Sequence, residues 1–284
     1  MKICTVKERH VRVVSPSGPC DADKLDASRR FLEKRGFSVS FGENVLRKRG
    51  YLAGIDKERL SDLVSALEDP DVDIIWFSRG GFGSVRILKD LPRYHRRKEK
   101  TLIGYSDATA IFSWAEKSPK LWALYGPSFS EVHDSAAVNY PSLWDALEWK
   151  PFSVRGKPSD PVDGEFTVTG GCLSVLSSLA GTRYFPDLDG RFLFLEDVNE
   201  PMYRIDRMLT HLSLAGAFEN AEGIILGNFS NIGEGTEKDV YIRAWELSGG
   251  KPVIHGIRSG HTNRKRTIPF DRPARWSGRT LIFP

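Results

Sequence analysis

Between residues 11 and 115, short apolar runs alternate with stretches whose apolar residues recur at helical spacing, and this alternation leaves few folds open. Val11 to Val14 is a β-branched run followed by the turn-rich loop SPSGP. Asp21 to Arg35 reads as a helix, and Phe37 to Phe41 alternates like a strand. Leu60, Leu63, Val64 and Leu67 stand at i, i+3, i+4 and i+7, an amphipathic helix. Asp73 to Phe77 (DIIWF) is a candidate buried strand running directly into SRGGFGSVRIL, and Leu102 and Ile103 end another before Gly104-Tyr105-Ser106-Asp107. Ala108 to Ala115 then reads as a helix. Strands alternating with helices predict a parallel sheet covered on both faces, an α/β fold. Ligands of such sheets sit outside the carboxyl ends of the strands. The loops SPSGP, SRGGFG and GYSD therefore become neighbours by topology, with Tyr125-Gly126-Pro127-Ser128 as a fourth.

The second half has another texture. The stretch KPFSVRGKPSDPVDGE is rich in Pro, Gly, Ser and Asp and reads as a linker. The expected organisation is an N-terminal α/β domain over 1–150, a linker over 151–165 and a C-terminal domain over 166–284. Within the last, Phe166 to Gly171 leads into a short helix, LSVLSSLAG, and Arg191 to Leu195 is a strand. Ile205, Met208, Leu209 and Leu212 form a second helical stripe. Ile224 to Leu226 reads as a strand, Val240 to Leu247 as a helix, and the tail from TIPF to TLIFP as short strands.

Bulk properties exclude several classes. With 40% hydrophobic and 27% charged residues the chain is ordinary for a globular protein. No apolar run approaches the roughly 20 residues that span a bilayer, and Lys7, Glu8 and Arg9 interrupt the start, so no signal-peptide core is seen. Cys4, Cys20 and Cys172 form neither a disulfide framework nor a metal spacing, which predicts a reducing, cytoplasmic setting. A net charge of +4 is too mild to imply nucleic acid. The local run Arg93, His95, Arg96, Arg97, Lys98 and Lys100 reads as a solvated loop rather than a phosphate-binding patch.

Four constellations carry chemistry. Ser106 sits on a strand-to-helix turn, where its hydroxyl is pushed outward and the next helix offers N–H groups; it is either a nucleophile or, with Asp107, a helix cap. The three glycines of SRGGFG let N–H groups approach a ligand, as an anion cradle or oxyanion hole, or simply make a tight turn. Arg79 within it pairs with a substrate carboxylate or a neighbouring acid. Glu196 directly follows an apolar strand, placed to orient a histidine or cap the helix near Pro201, with Asp197 and Glu200 as alternatives. Of six histidines, His261 in a Ser-Gly-His turn is best placed to reach a cleft. Metal binding is disfavoured, because no two histidines lie at helical spacing. Ser106, an acid and His261 would form a triad, whose members need not be close in sequence.

These pieces together resemble the LD-carboxypeptidases, serine peptidases of bacterial cell-wall recycling, and the related microcin C immunity peptidases. The matching stretches are VSPSGP, SRGGFGSVRIL, LIGYSDATAI, YGPS, GGCLSVLSSLAGT, FLFLEDVNEPMYRIDRML, IILGNFS and the SGH turn, in the family's order from about residue 11 onward. The resemblance implies Ser106 as nucleophile, Glu196 as the triad acid and His261 as general base. It implies main-chain donors to the oxyanion from Gly80 or Gly81 and from Asp107. It also implies an N-terminal α/β domain, a smaller β-rich C-terminal domain with the site between the two, a homodimer and no cofactor. Family members commonly carry Asn where this chain has Cys172.

The expected activity is cleavage of a terminal D-amino acid from an L-centre, the substrate a small peptide such as murein tetrapeptide losing D-Ala. Arg79 or Arg204 is the expected contact to its free carboxylate. A long insertion that helps immunity peptidases hold an aromatic nucleotide is hard to find in 284 residues, which favours the cell-wall peptide over a nucleotide conjugate. The alternative of another class is a non-enzymatic anion-binding protein built on the SRGGFG loop. No membrane or nucleic-acid partner is expected.

Overall fold

A computed structural model describes residues 9–95, 98–160, 162 and 164–284. Cys4, Arg96 and Arg97 lie outside them. The chain divides into two compact units, Met1–Ala137 and Val138–Pro284.

In the first unit β1 (His10–Val14), α1 (Ala22–Glu33), β2 (Ser38–Phe41), α2 (Asp56–Glu68) and β3 (Ile74–Phe77) follow one another. They are succeeded by α3 (Ser84–Ile87), β4 (Lys100–Gly104), α4 (Thr109–Ala115) and β5 (Leu121–Tyr125). The strands are parallel in the order β5-β4-β3-β1-β2. From β1 the chain goes first to β2 on one side and then to β3 on the other, so the sheet's switch point lies between β1 and β3. The loops leaving these two strands are SPSGP and SRGGFG, and GYSD leaves β4 beside them. Every residue of β3 is buried, as is every residue of α4, which is apolar nearly all round. Asp21 starts α1 by accepting the N–H groups of Asp23 and Lys24.

The buried face of α2 is not the stripe expected from its leucines. Leu60 and Val64 are only half-buried, whereas Arg59, Asp62, Leu63, Ala66 and Leu67 are buried. The face is rotated toward two charged residues: Arg59 donates to the carbonyls of Pro16 and Gly83 and to Asp56, and Asp62 accepts from Asn44.

The second unit contains α5 (Tyr140–Leu147), β6 (Phe152–Arg155), β7 (Lys157–Pro158), β8 (Glu165–Cys172) and α6 (Leu173–Leu179). Next come β9 (Arg191–Val198), α7 (Met202–Leu214), α8 (Ala217–Asn220), β10 (Gly223–Ser230) and α9 (Glu237–Leu247). Four short strands end it: β11 (Val253–His255), β12 (Ile268–Pro269), β13 (Ala274–Ser277) and β14 (Thr280–Phe283). An eight-stranded mixed sheet runs β6-β14-β13-β8-β9-β10-β11-β7. The stretch read from composition as a linker thus includes two strands, β6 and β7, at opposite edges of one sheet. A flat sheet of this size would be roughly 34 Å across, at about 4.8 Å per strand spacing. Gly156 alone joins Arg155 to Lys157, and a residue spans at most about 3.6 Å. The sheet therefore rolls until its edges meet. Its apolar layer packs Leu193 and Leu195 of β9 and Ile224 and Leu226 of β10 with Ile205, Leu209 and Leu212 of α7 and Val240 of α9.

Candidate active site

Ser106 follows β4 across the turn formed by Tyr105. Its φ is 62°, in the left-handed region that a non-glycine residue enters at a cost of about 1–3 kcal/mol. The turn holds this conformation from several sides. The Ser106 N–H donates to the hydroxyl of buried Tyr125 at 3.0 Å, and Thr109 Oγ1 donates to the Ser106 carbonyl at 2.7 Å. A serine so placed is held by its backbone rather than by its hydroxyl, the arrangement of a nucleophile elbow.

The glycine loop passes directly over it. A Cβ built on Gly80 would stand 2.8 Å from Ser106 Cβ and 2.9 Å from its Oγ. The Gly18 N–H of the SPSGP loop donates to the Gly80 carbonyl at 3.2 Å, so the first two loops also meet. Asp107, almost fully buried, accepts from Ser17 Oγ at 2.5 Å and from the Ser84 N–H at 2.8 Å, and Ser84 Oγ donates to the Asp107 carbonyl. Its carboxyl is pushed above the usual carboxylate range by burial, against the lowering effect of those donors and of Arg59. Arg59 belongs to no motif of the sequence. It is buried, its Nη1 donating to the carbonyls of Pro16 and Gly83 and its Nη2 to Asp56. Helical spacing of 59 with 62, 63, 66 and 67 was the available signal.

In the second unit, Glu196 lies within β9 rather than at its end and is fully buried. Its Oε2 accepts the main-chain N–H of His261 at 2.9 Å and meets the imidazole Nδ1 at 2.9 Å. Because a carboxylate only accepts, Nδ1 carries the proton and Nε2 is left as a base. Burial disfavours the imidazolium, but the Glu196 hydrogen bond and the charges of Glu196 and Asp197 outweigh it, with Lys265 opposing. The His261 pKa is raised above its ordinary value. The other two acids are engaged elsewhere. Asp197 accepts the Ser174 N–H at the start of α6 at 2.7 Å, and Glu200 pairs with Arg204 at 3.5 Å.

Gly80 and Asp107 thus stand beside Ser106, a Cβ added at Gly81 would face Gly18 instead, and Glu196 meets His261. Arg79 is exposed and donates to the Pro19 carbonyl at 3.2 Å. Arg204 is exposed, held by Glu200 and by Tyr203 Oη. Among the described residues no group of three His, Cys, Asp or Glu is placed to hold a metal, and no helix is long and apolar enough to cross a membrane.

A strained serine at a strand–helix turn under a glycine loop, in a chain whose histidine is oriented by a carboxylate, defines a serine hydrolase. The LD-carboxypeptidase N-terminal domain matches residues 11–126 and the LD-carboxypeptidase C-terminal domain matches residues 165–275. The chain belongs to the LD-carboxypeptidase family of serine peptidases. It is 32% identical to the "Probable murein peptide carboxypeptidase" of Bacillus subtilis, over 93% of this chain and 87% of that one. The crystal structure of muramoyltetrapeptide carboxypeptidase from Oxalobacter formigenes matches with a TM-score of 0.84 at 28% identity, covering 96% of this chain and 97% of that one. The microcin C7 self immunity protein MccF, in complex with aspartyl sulfamoyl adenosine, shares the fold with a TM-score of 0.85 at 21% identity, covering 98% and 96%.

Proposed function

We propose that this chain hydrolyses the bond between an L-centre and a terminal D-amino acid, with murein tetrapeptide as substrate and D-Ala as product, using Ser106, His261 and Glu196. The observation that carries the reading is the double hold of Glu196 on His261. It fixes the ring in the tautomer that leaves Nε2 free to take a proton. In this mechanism His261 Nε2 accepts the Ser106 proton as Oγ attacks the carbonyl carbon. Glu196 stabilises the imidazolium that forms. Main-chain N–H groups of the glycine loop and of Asp107 receive the oxyanion, each contributing on the order of 3 kcal/mol in enzymes of this type. The imidazolium then protonates the leaving amine, and water, deprotonated by the same nitrogen, releases the acyl group. Arg79 or Arg204 binds the free carboxylate. The similarity to murein peptide carboxypeptidases supports the substrate. Free thiols at Cys20 and Cys172 support a cytoplasmic setting, where murein fragments would be recycled, and the family resemblance supports a homodimer.

The test is mass spectrometry of synthetic LD- and DD-terminated tetrapeptides, and of an aminoacyl sulfamoyl adenylate, after incubation with wild type and Ser106→Ala. Loss of D-Ala from the LD peptide alone, abolished in Ser106→Ala, is the expected result. Turnover of the adenylate instead would replace the substrate class. Activity of Ser106→Ala within a few-fold of wild type would overturn the mechanism.

A further inference from the structure

Two buried groups of opposite charge tie the same two loops together. Arg59 reaches from α2 and donates through one nitrogen, Nη1, to the carbonyls of Pro16 and Gly83. Asp107 accepts from Ser17 and from the N–H of Ser84. Residues 16 and 17 are thus bound to residues 83 and 84 twice, once by a cation on carbonyls and once by an anion on donors. The same glycine loop carries Gly80, at which an added Cβ would meet Ser106 Cβ and Oγ. The Gly80 carbonyl is held by the Gly18 N–H. In a trans peptide the carbonyl and the following N–H point in opposite directions, so the Gly81 N–H is turned away from SPSGP.

We propose that Arg59, acting with Asp107, is a positioning residue that locks the glycine loop so that its main-chain donors meet the oxyanion, and that its loss lowers turnover rather than substrate affinity. The inference rests on the serine-hydrolase reading above. The physical reason is the cost of burial. A guanidinium with almost no exposure is held where it is only by the carbonyls and carboxylate it serves. Its planar fork sets three acceptors on three segments at fixed mutual positions, and a lysine ammonium lacks that fork. An oxyanion donor displaced by about 1 Å costs on the order of a hundredfold in rate.

The experiment compares wild type, Arg59→Met, Arg59→Lys and Ser17→Ala, with far-UV circular dichroism as the check on folding. Readouts are kcat and KM on the LD-tetrapeptide and affinity for a peptidyl boronic acid, which forms a tetrahedral adduct with the serine. Expected for Arg59→Met is a kcat about a hundredfold lower, KM within about threefold, and boronate affinity reduced by the same factor as kcat. Arg59→Lys should fall between, and Ser17→Ala should lose about tenfold in kcat alone. A folded Arg59→Met with kcat within threefold of wild type would overturn the proposal, as would equal losses of peptide and boronate affinity. Should Arg59→Met fail to fold, Ser17→Ala decides, and full kcat there overturns it. If wild type leaves the tetrapeptide intact, the substrate reading fails by itself. The lock is then read from fluorophosphonate labelling of Ser106, expected about a hundredfold slower in Arg59→Met. An equal labelling rate, or no labelling of wild type, counts against it.

Discussion

His261 gives both its main-chain N–H and its Nδ1–H to one oxygen, Glu196 Oε2, each at 2.9 Å. Backbone and ring are therefore oriented by the same acceptor, and the ring turns little without breaking a bond to a fully buried charge. The pairing raises the His261 pKa despite burial. In the proposed mechanism the neutral ring is the base, so activity falls as pH drops through this raised value. The acid limb of kcat/KM should lie above about 6.5, the ordinary imidazole value. A pH–rate profile on the LD-tetrapeptide checks this, and a limb below 6.5 would contradict the assignment. The same pairing carries a stability consequence. A raised folded pKa adds stability that is full below the unfolded value of about 6.5 and is lost as pH rises through the folded value.

Glu196→Gln separates orientation from charge. Glutamine keeps the length but loses the charge, and its amide either accepts from Nδ1 or favours the wrong tautomer. In the proposed mechanism turnover should fall by roughly 10⁴-fold, as for the carboxylate-to-amide change in a Ser-His-Asp triad. With the Glu196 contributions gone, burial dominates and the His261 pKa drops. NMR titration of the imidazole should place it below the wild-type value. A pKa unchanged in Glu196→Gln would mean that the pair is not coupled as described.

The sequence made some of these relationships readable and hid others for physical reasons. The alternation of β1, β2 and β3 with α1 and α2 shows because buried parallel strands and helix faces leave different periodicities. The meeting of SPSGP with SRGGFG follows from that alternation, since both loops leave the carboxyl end of one sheet. Arg59 was hidden because the leucines of α2 mark an apolar stripe, while the buried face carries a cation held by carbonyls distant in sequence. The closure of the second sheet was hidden because β7 is two residues long and lies in a Pro- and Gly-rich stretch. The residues alone left Glu196, Asp197 and Glu200 open; adjacent strand residues point to opposite faces, and only the fold decides which face holds His261.

Gly80→Ala probes the contact between the glycine loop and the serine. Gly80 does not have a positive φ, so alanine fits its backbone. The added methyl meets Ser106 Cβ and Oγ at 2.8 and 2.9 Å, closer than real Cβ contacts. Either the loop or the serine side chain must give way. The expected outcome is a folded protein with unchanged far-UV circular dichroism and kcat lowered by about a hundredfold. The substitution should also slow fluorophosphonate labelling of Ser106. Labelling at the wild-type rate would mean that the loop yields without disturbing the serine.

Cys172 offers a test of where the nucleophilic chemistry resides. It stands opposite Glu196 in the β8–β9 ladder, and its thiol is fully buried. Burial pushes the thiol pKa well up, and the charges of Asp197 and Glu196 push it further, so no useful thiolate forms near neutral pH. Cys20, also raised by burial, is only half-buried. Iodoacetamide at neutral pH should therefore alkylate Cys172 only after denaturant is added, as peptide mass spectrometry would report. Turnover of the LD-tetrapeptide should survive treatment of the native protein for as long as Cys172 is unmodified, whereas a fluorophosphonate that reaches Ser106 should abolish it. Rapid native alkylation of Cys172 would show that the β8–β9 ladder opens readily around Glu196, and the fixed geometry assigned to His261 would then be wrong.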